Sequence, residues 1–379
     1  MKLIHVVRRY GPVGGMERYV FEITRELRDL GHEVEVLCEV CLAEKQSGIL
    51  VHELGATAPR PRWLALLRFG QKVNAWLAAN PHHDWLIHSH ERLSCHDITT
   101  FHGSPFATIF EESWWRLISL RVAMQLFLER RELSVAMRIV PNSHLMKRQL
   151  THYYPQFAHK LTEPVAPGVT PGVLRESRSV PSDGGVIGFV GKGWKSKGLP
   201  LAVTAVKQLR RTRPNLELVV IGPKVDDVQH LFADWQGGYS LMGWSTQAHY
   251  SDFDVLLHPA KAEPYGMVIS EAMAARVPVV ISNMCGAASD VTPQSGAVLP
   301  ITATLETWVG AIEKQLSRRD SVPSFVRGWR EVAQECEAIY QRQLGKDQRS
   351  LPTCPLRASK PAVRTNAEAA KPRPSMHRS

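Results

Sequence analysis

Residues 254–281 read DVLLHPAKAEPYGMVISEAMAARVPVVI, and this stretch decides the fold. The apolar run at 254–258 predicts a strand, and the proline and glycine residues after it predict a turn. A helix is predicted over 267–275 and a second strand over 279–281. A strand, a helix and a strand in this order indicate a parallel sheet covered by helices.

The same alternation continues on both sides of this stretch. Proline, glycine and serine residues interrupt it at 164–185, which predicts a linker between two domains. The fold class is therefore predicted to be α/β, with two Rossmann-like, doubly wound domains that face each other across a cleft. The further predicted strands lie at 2–7, 34–38, 85–88, 98–101, 138–141, 186–190 and 216–221, and the further predicted helices at 16–30, 114–135, 199–211, 305–317 and 325–344. The predicted organisation is an N-terminal domain over 1–165, a linker over 166–185, a C-terminal domain over 186–323, a terminal helix over 324–345 and a tail over 346–379.

Composition places the chain among water-soluble globular proteins. Its 379 residues are 44% hydrophobic and 22% charged, which suits two domains with cores of their own. No apolar run approaches the roughly 18 residues of a spanning helix, and the start lacks the pattern of a signal peptide. We therefore expect a cytoplasmic protein.

Charge and cysteine content exclude several classes of site. The net charge is +10, but residues 346–379 hold eight Lys and Arg against two Asp and Glu, together with five prolines, which predicts a disordered basic tail. The folded body is only mildly basic, so no nucleic acid is expected as a partner. Six cysteines in so long a chain predict no disulfide framework. Cys38 and Cys41 form a C-x-x-C without a second pair, so no metal site and no cofactor are predicted.

Two stretches in the second half carry candidate site residues. Gly191–Gly198 follows a predicted strand and leads into a helix, and Lys192, Lys195 and Lys197 add positive charge there. A helix N-terminus with free N–H groups binds anions, so this loop predicts a phosphate site. In the opening stretch, Glu263 lies in the turn and Glu271 lies eight residues later on the helix. Carboxylates accept hydrogen bonds from adjacent hydroxyl groups, which points to a sugar or a ribose.

Taken in order, these motifs resemble glycosyltransferase family four, of the GT-B fold. The resemblance spans roughly residues 3–345 and is strongest over 186–300. It implies an N-terminal domain that binds the acceptor, a C-terminal domain that binds a nucleotide sugar, and a C-terminal helix that returns to the N-terminal domain. The motifs that carry it are Phe189-Val190-Gly191, Lys197-Gly198, 216–221 with Gly222, Asp254, the Glu263-x7-Glu271 pair with Ala272-Met273-Ala274, 277–283 and Gly296–Leu299.

The resemblance also implies roles for the site residues. Glu271 would bind the ribose hydroxyls and Glu263 the hydroxyls of the transferred sugar. Lys197 and Lys192 would neutralise the diphosphate. Backbone groups would complete the donor site at Tyr265, Gly266, Met267 and Val268 for the diphosphate, and at Gly222 and Gly243 for the base.

In the N-terminal half, two loops resemble those of the same family. Gly14 and Gly15 follow the first strand and would let the backbone approach the diphosphate. His102, in the segment 99–105, would lie beside the reacting sugar. The sequence departs from the family where Lys192 replaces an arginine, where Arg276 replaces a glycine, and where Cys285-Gly286 replaces a pair of glycines.

The implied activity is a retaining, metal-independent hexosyl transfer from a UDP-, GDP- or ADP-sugar to a glycan or a lipid-linked acceptor. Ser89–Arg92 resembles members that act on the lipopolysaccharide core. Basic and aromatic residues mix at 60–69 and 114–131, which suits either an anionic membrane surface or a core-packing helix. The membrane interpretation predicts a peripheral protein on the cytoplasmic face of the inner membrane. A nucleotide-sugar epimerase and a non-catalytic nucleotide-sugar-binding protein are the alternative functions.

Overall fold

The computed structural model describes residues 1–44, 47–82, 84–112, 119–176, 179–245 and 248–347. Within these ranges, two six-stranded parallel sheets form the centres of two α/β domains. The predicted fold class is confirmed.

The first domain is built on a sheet with the order β5-β3-β1-β6-β7-β8. Ile4 at the centre of this sheet lies opposite Glu35 on one side and Ile87 on the other. The strands are β1 (Lys2–Val6), β2 (Arg9–Tyr10), β3 (Glu33–Cys38), β4 (Val40–Cys41), β5 (Ile49–Glu53), β6 (Leu86–Ser89), β7 (Ile98–Phe101) and β8 (Arg138–Pro141), with β2 and β4 forming a separate pair. The helices are α1 (Gly15–Asp29), α2 (Arg62–Ala79), α3 (Ile109–Glu112), α4 (Leu120–Val135) and α5 (His144–Tyr153).

The second domain is built on a sheet with the order β11-β10-β9-β12-β13-β14. Gly188 lies opposite Val219 and Leu256, at the centre of that sheet. The strands are β9 (Gly184–Val190), β10 (Asn215–Ile221), β11 (Tyr239–Gly243), β12 (Val255–His258), β13 (Val279–Ser282) and β14 (Gly296–Leu299). The helices are α6 (Leu199–Leu209), α7 (Val225–Val228), α8 (Met267–Ala274) and α9 (Leu305–Leu316), and the last helix of the chain is α10 (Trp329–Asp347).

Both sheets reverse their strand order at one place. In each, the first three strands in sequence run outward in one direction and the next three in the other, so the order is 3-2-1-4-5-6. The reversal falls between β1 and β6 in the first sheet and between β9 and β12 in the second. In open parallel sheets, ligands bind beyond the carboxyl ends of the strands at such a point. The loops after these four strands are therefore where a site is expected.

The last helix, α10, belongs to the first domain. Buried apolar residues of α1, including Tyr19 and Ile23, share one core cluster with Trp329, Val332 and Tyr340 of α10. Burying this apolar face of α1 removes it from water, which is the main driving force of the contact. The prediction that the terminal helix returns to the N-terminal domain is confirmed.

Several predicted boundaries differ from the structure. The terminal helix begins at Trp329 and not at 324 or 325, because the N–H of Phe325 donates to Met273 and the carbonyl of Arg327 accepts from Val169, which keeps 324–328 outside the helix. Strand β9 begins at Gly184, inside the predicted linker. The helix predicted over 114–135 is α4 from Leu120 onward, and residues 113–118 lie outside the described residues. The predicted tail lies outside them too, apart from the end of α10.

Candidate active site

The loops after β9 and β12 pack directly against each other. Gly198 has φ +82°, and a side chain there would meet the carbonyl oxygen of Pro259 at 2.0 Å, so only glycine fits. The N–H of Lys261 donates to the carbonyl of Ser196 at 2.8 Å. These contacts bring the lysine-containing loop and the glutamate-containing turn together at the switch point of the second sheet.

Lys197 and Glu263 form an ion pair at the centre of this junction. The distance from Lys197 Nζ to Glu263 Oε2 is 2.6 Å, and His258 Nε2 lies 3.2 Å from the same oxygen. Burial alone favours the neutral carboxyl, but the hydrogen bond from His258 and the charge of Lys197 outweigh it and lower the pKa of Glu263 to about 2. Glu263 is therefore an ionised hydrogen-bond acceptor at neutral pH and not an acid catalyst.

The turn that carries Glu263 ends at the N-terminus of α8. Its backbone is pinned because the N–H of Glu263 donates to Met284 and its carbonyl accepts from Gly286. Gly266 caps α8 with φ +99°, in the left-handed region. Within the described part of the chain, the N–H groups of residues 265–268 donate to no acceptor. Four unpaired N–H groups at a helix N-terminus form an anion site.

The four residues at this N-terminus contribute through their backbone. The hydroxyl of Tyr265 donates to Asp290 at 3.0 Å, and its side chain is buried, so it is directed away from the anion site. Met267 packs against the cores of both domains. The structure therefore brings Tyr265, Gly266, Met267 and Val268 to one place, next to Glu263.

Glu271 lies one turn into α8 and connects the two domains. Its carboxylate accepts from Tyr250 at 2.6 Å and pairs with Arg18 of α1 at 2.8 Å. Burial raises the pKa of Glu271, while Tyr250 and Arg18 oppose that rise. Arg18, Tyr250 and His258 were not predicted as site residues.

The glycine loop of the first domain faces α8. Gly14 caps α1 with φ +76°, and a side chain on Gly15 would lie 3.9 Å from the sulfur of Met267. The hydroxyl of Ser143, which caps α5, donates to the carbonyl of Pro264 at 2.6 Å. The N-terminus of α1 and that of α8 are thus brought together from opposite domains.

The start of the lysine loop lies near two glycines at the ends of neighbouring strands. Gly222 packs against the backbone of Lys192 and is bonded to Gly243. The N–H of Gly222 donates to Gly243 at 2.7 Å, and Lys192 Nζ lies 5.5 Å from the centre of the exposed Trp244 ring. The ammonium group of Lys192 is held over the face of this ring by a cation–π contact. Arg276, at the end of α8, has φ +62°, so the backbone keeps the conformation that glycine would favour there.

His102 follows β7 in the first domain and is half-buried. Its ring contacts Tyr19 of α1 edge-on, with centroids 4.9 Å apart, and its Nε2 lies 2.9 Å from Nδ1 of His90. Desolvation lowers the pKa of His102 to about 3. His102 is therefore a neutral imidazole, and it packs against α1, the helix that carries Arg18.

The two segments that mix basic and aromatic residues, 60–69 and 114–131, differ in how far their apolar side chains are buried. Leu66 and Phe69 of α2 are buried in the core, whereas Leu120 and Phe127 of α4 are exposed. Residues 114–116 lie outside the described residues. Of the helices in the described ranges, none is long and apolar enough to cross a membrane.

Two family models match adjacent parts of the chain. Residues 13–172 match the model described as Glycosyltransferase Family 4, and residues 173–332 match the model described as Glycosyl transferases group 1. Together the two matches include every candidate site residue named above.

Individual proteins are similar over nearly the whole chain. D-inositol 3-phosphate glycosyltransferase of Kineococcus radiotolerans is 26% identical over 88% of this chain and 91% of its own length. GDP-mannose-dependent alpha-mannosyltransferase of Mycolicibacterium smegmatis is 24% identical over 91% of this chain and 98% of its own length. The crystal structure of WaaG, a glycosyltransferase involved in lipopolysaccharide biosynthesis, superposes with a TM-score of 0.70 at 17% identity, over 88% of this chain and 94% of that one.

Proposed function

Because the chain belongs to glycosyltransferase family four and is an enzyme that transfers a sugar, we propose that its donor is a nucleoside diphosphate hexose. The C-terminal domain binds most of the donor, and a hydroxyl of a glycan or glycolipid is the acceptor. The reaction retains the anomeric configuration and uses no metal ion. The observation that supports this most strongly is the set of four N–H groups at 265–268, which have no acceptor in the described ranges, beside the Lys197–Glu263 pair.

The diphosphate occupies the junction between the two helix N-termini. The N–H groups at the start of α8, the facing N-terminus of α1 and the ammonium groups of Lys197 and Lys192 supply positive potential. As the bond to the sugar breaks, negative charge develops on the leaving phosphate, and preorganised donors stabilise it. Lysine charge takes the role of a divalent ion in this scheme.

Two carboxylates divide the recognition of hydroxyl groups between them. Glu263, ionised because of His258 and Lys197, accepts hydrogen bonds from the transferred sugar. Lys197 Nζ lies 2.6 Å from Glu263, so in this proposal one lysine contacts both the glutamate that binds the sugar and the phosphate of the donor. Glu271 binds the ribose, and Tyr250 and Arg18 orient its oxygens. His102 lies beside the reacting sugar, and the leaving phosphate takes the proton of the acceptor.

A substitution at Glu263 tests the donor site. Glu263→Ala should abolish transfer, because the hydroxyl groups of the donor sugar lose the carboxylate to which they donate hydrogen bonds. Nucleoside diphosphate should still bind through α8 and Lys197. The matched control is Glu306→Ala on the exposed start of α9, which should keep full activity. Transfer and nucleotide binding are measured separately, by product mass and by calorimetry. Normal transfer by Glu263→Ala would contradict the assignment.

The donor and acceptor are identified by panels. UDP-, GDP- and ADP-sugars are compared by thermal stabilisation, since a ligand that binds the folded state raises its melting temperature. By their names, the relative from Kineococcus radiotolerans acts on an inositol phosphate and the relative from Mycolicibacterium smegmatis uses GDP-mannose. The proposed acceptor is the lipopolysaccharide core, on the resemblance at Ser89–Arg92, and inositol phosphates are tested beside it. Turnover of the donor sugar without any acceptor would favour an epimerase.

We also propose that α4 contacts an anionic membrane surface. Leu120 and Phe127 are exposed and seven residues apart, so they lie on one face of the helix. Exposed Arg121 and Arg130 flank them. Flotation with vesicles that contain anionic lipid should recover the protein, and vesicles of neutral lipid should not. Equal recovery with both, or no effect of Phe127→Ser, would remove this proposal.

A further inference from the structure

A chain of three histidines leads from the core of the first domain to His102. Nε2 of His102 lies 2.9 Å from Nδ1 of His90, and Nε2 of His90 lies 3.1 Å from Nδ1 of His5. His5 and His90 are buried, and Nε2 of His5 has no hydrogen-bond partner among the residues that the structure describes. The chain therefore has one closed end, at His5, and one end at the candidate site.

The sheet places these rings in contact. His5 of β1 lies opposite His88 of β6, and the N–H of His90 donates to Val6, so the pairing continues past the strand end. Alternate residues of a strand point to the same face, so His88 and His90 share a face with His5. His102 follows the neighbouring strand, β7, on that same face.

Each of these rings is neutral at physiological pH. Burial lowers the pKa of His5 to about 3 and lowers the pKa of His90 far below its ordinary value. A neutral imidazole has one N–H and one lone pair, so every ring in the chain donates at one nitrogen and accepts at the other. The direction must be the same throughout, which leaves two arrangements.

The closed end distinguishes the two arrangements. If His102 donated to His90 and His90 to His5, an N–H would be buried at Nε2 of His5 without an acceptor. In the opposite direction, that position holds only an unpaired lone pair. Among backbone groups, a buried N–H without an acceptor is rarer than a buried carbonyl without a donor, and we apply the same order to the ring nitrogens. His5 therefore donates to His90, and His90 donates to His102.

We infer that His5 and His90 are positioning residues that hold His102 in the tautomer with its proton on Nδ1. Among the described residues, Nδ1 of His102 makes no hydrogen bond and it is not a fully buried atom, so it is available to a ligand. His102 then donates a hydrogen bond to an oxygen of the donor sugar or of the acceptor, and it removes no proton. The tautomer is a property of the protein alone, whereas its use in the reaction rests on the proposed function.

His88 lies beside this chain but is not part of it. Its two nitrogens bond to the hydroxyls of Tyr340 at 2.7 Å and Thr100 at 2.8 Å. Ligand atoms of His5, His88 and His90 lie within 4.8 Å of one another, which is close enough for a metal ion. An ion there would have to replace one of these two bonds of His88 and one of the two bonds that His90 makes in the histidine chain. The present contacts favour the hydrogen-bonded chain.

The experiment compares two variants of His5. In His5→Asn, the side-chain amide nitrogen can take the place of Nδ1–H and still donate to His90. In His5→Phe, a ring remains but the donor is lost. Ring-nitrogen spectra of histidine-labelled protein report each tautomer, and His102→Gln identifies the His102 signals. Wild type and His5→Asn should show Nδ1–H at His102, and His5→Phe should show a mixture.

The kinetic result separates positioning from stability. We expect kcat to fall about 10-fold in His5→Phe with the donor KM unchanged, and to recover within about 3-fold in His5→Asn. A wild-type spectrum with Nε2–H at His102, no spectral change in His5→Phe, or one zinc ion bound per chain would each overturn the inference. Failure of the wild-type protein to transfer sugar would refute the proposed function instead, and the spectra would still decide the tautomer.

Discussion

Replacing Glu263 by glutamine keeps the shape of the side chain and removes its charge. The ordinary pKa of this carboxyl is 4.5, and in the protein it is about 2. Burial opposes the charged form, so the low value arises from His258 and Lys197. The difference between the two pKa values corresponds to about 3 kcal/mol of stability at pH 7. Glu263→Gln should lower the free energy of unfolding by up to that amount.

The pH dependence of this loss has a definite sign. A carboxyl whose pKa is lower in the folded than in the unfolded protein contributes its full stability above pH 4.5. The contribution disappears as the pH falls from 4.5 toward 2. Glutamine does not titrate, so the gap between the wild type and Glu263→Gln should be constant from pH 8 to pH 5 and should narrow only below that range.

Urea unfolding followed by circular dichroism measures the gap at each pH. The protein has two domains, so midpoints are compared under identical conditions for the variant and the wild type. Glu306→Gln on the exposed start of α9 is the control and should change stability by less than about 0.5 kcal/mol. A gap below about 1 kcal/mol at pH 7 would refute the strength of the Lys197–Glu263–His258 contacts. A gap that closes between pH 7 and pH 5 would refute the low pKa.

Three further substitutions test the contacts around the cleft. Arg18→Ala leaves Glu271 with Tyr250 as its described partner and removes the cation that favours the ionised carboxyl, so donor affinity measured by calorimetry should fall about 10-fold; an unchanged affinity would contradict this. Gly198→Ala places a methyl group 2.0 Å from a backbone carbonyl at φ +82°, so the melting temperature should fall by several degrees and donor binding should weaken; an unchanged melting curve would show that the loop adjusts. Ser143→Ala removes the cap of α5 and a hydrogen bond between the domains, which should lower stability by about 1 kcal/mol in urea unfolding; no loss would mean that neither contact matters.

Local patterns rich in β-branched residues predicted some strands with the right bounds. The bounds of β7 and β8 agree with the prediction, because both strands are buried for most of their length. Strand β11 was not predicted, because it lies mostly half-buried at the edge of its sheet, and its sequence shows neither a continuous apolar run nor a clear alternation. Residues 324–328 continue the sequence pattern of α10, but hydrogen bonds to distant backbone groups keep them outside the helix.

The candidate site was predicted as a set of groups and not as a set of pairs. Turn chemistry and motif order indicated which side chains follow which strand, so Lys197, Glu263 and Glu271 were predicted together. The pairing of Glu271 with Arg18 joins residues 253 positions apart, and no local pattern records such a contact. His5 and His90 are 85 positions apart and meet only because β1 and β6 are neighbours. The contact between His5 and His90 could therefore be predicted only from the order of the strands in the sheet.

The return of α10 to the first domain also bears on how such a gene can be recombined. The last helix is encoded after the whole second domain, yet Tyr340 bonds to His88 in the core of the first. A single crossover near the linker would therefore combine the helix of one parent with the core of the other. A chimaera that exchanges only the second domain needs two junctions, one in 166–183 and one in 317–328, so that α10 stays with the first domain.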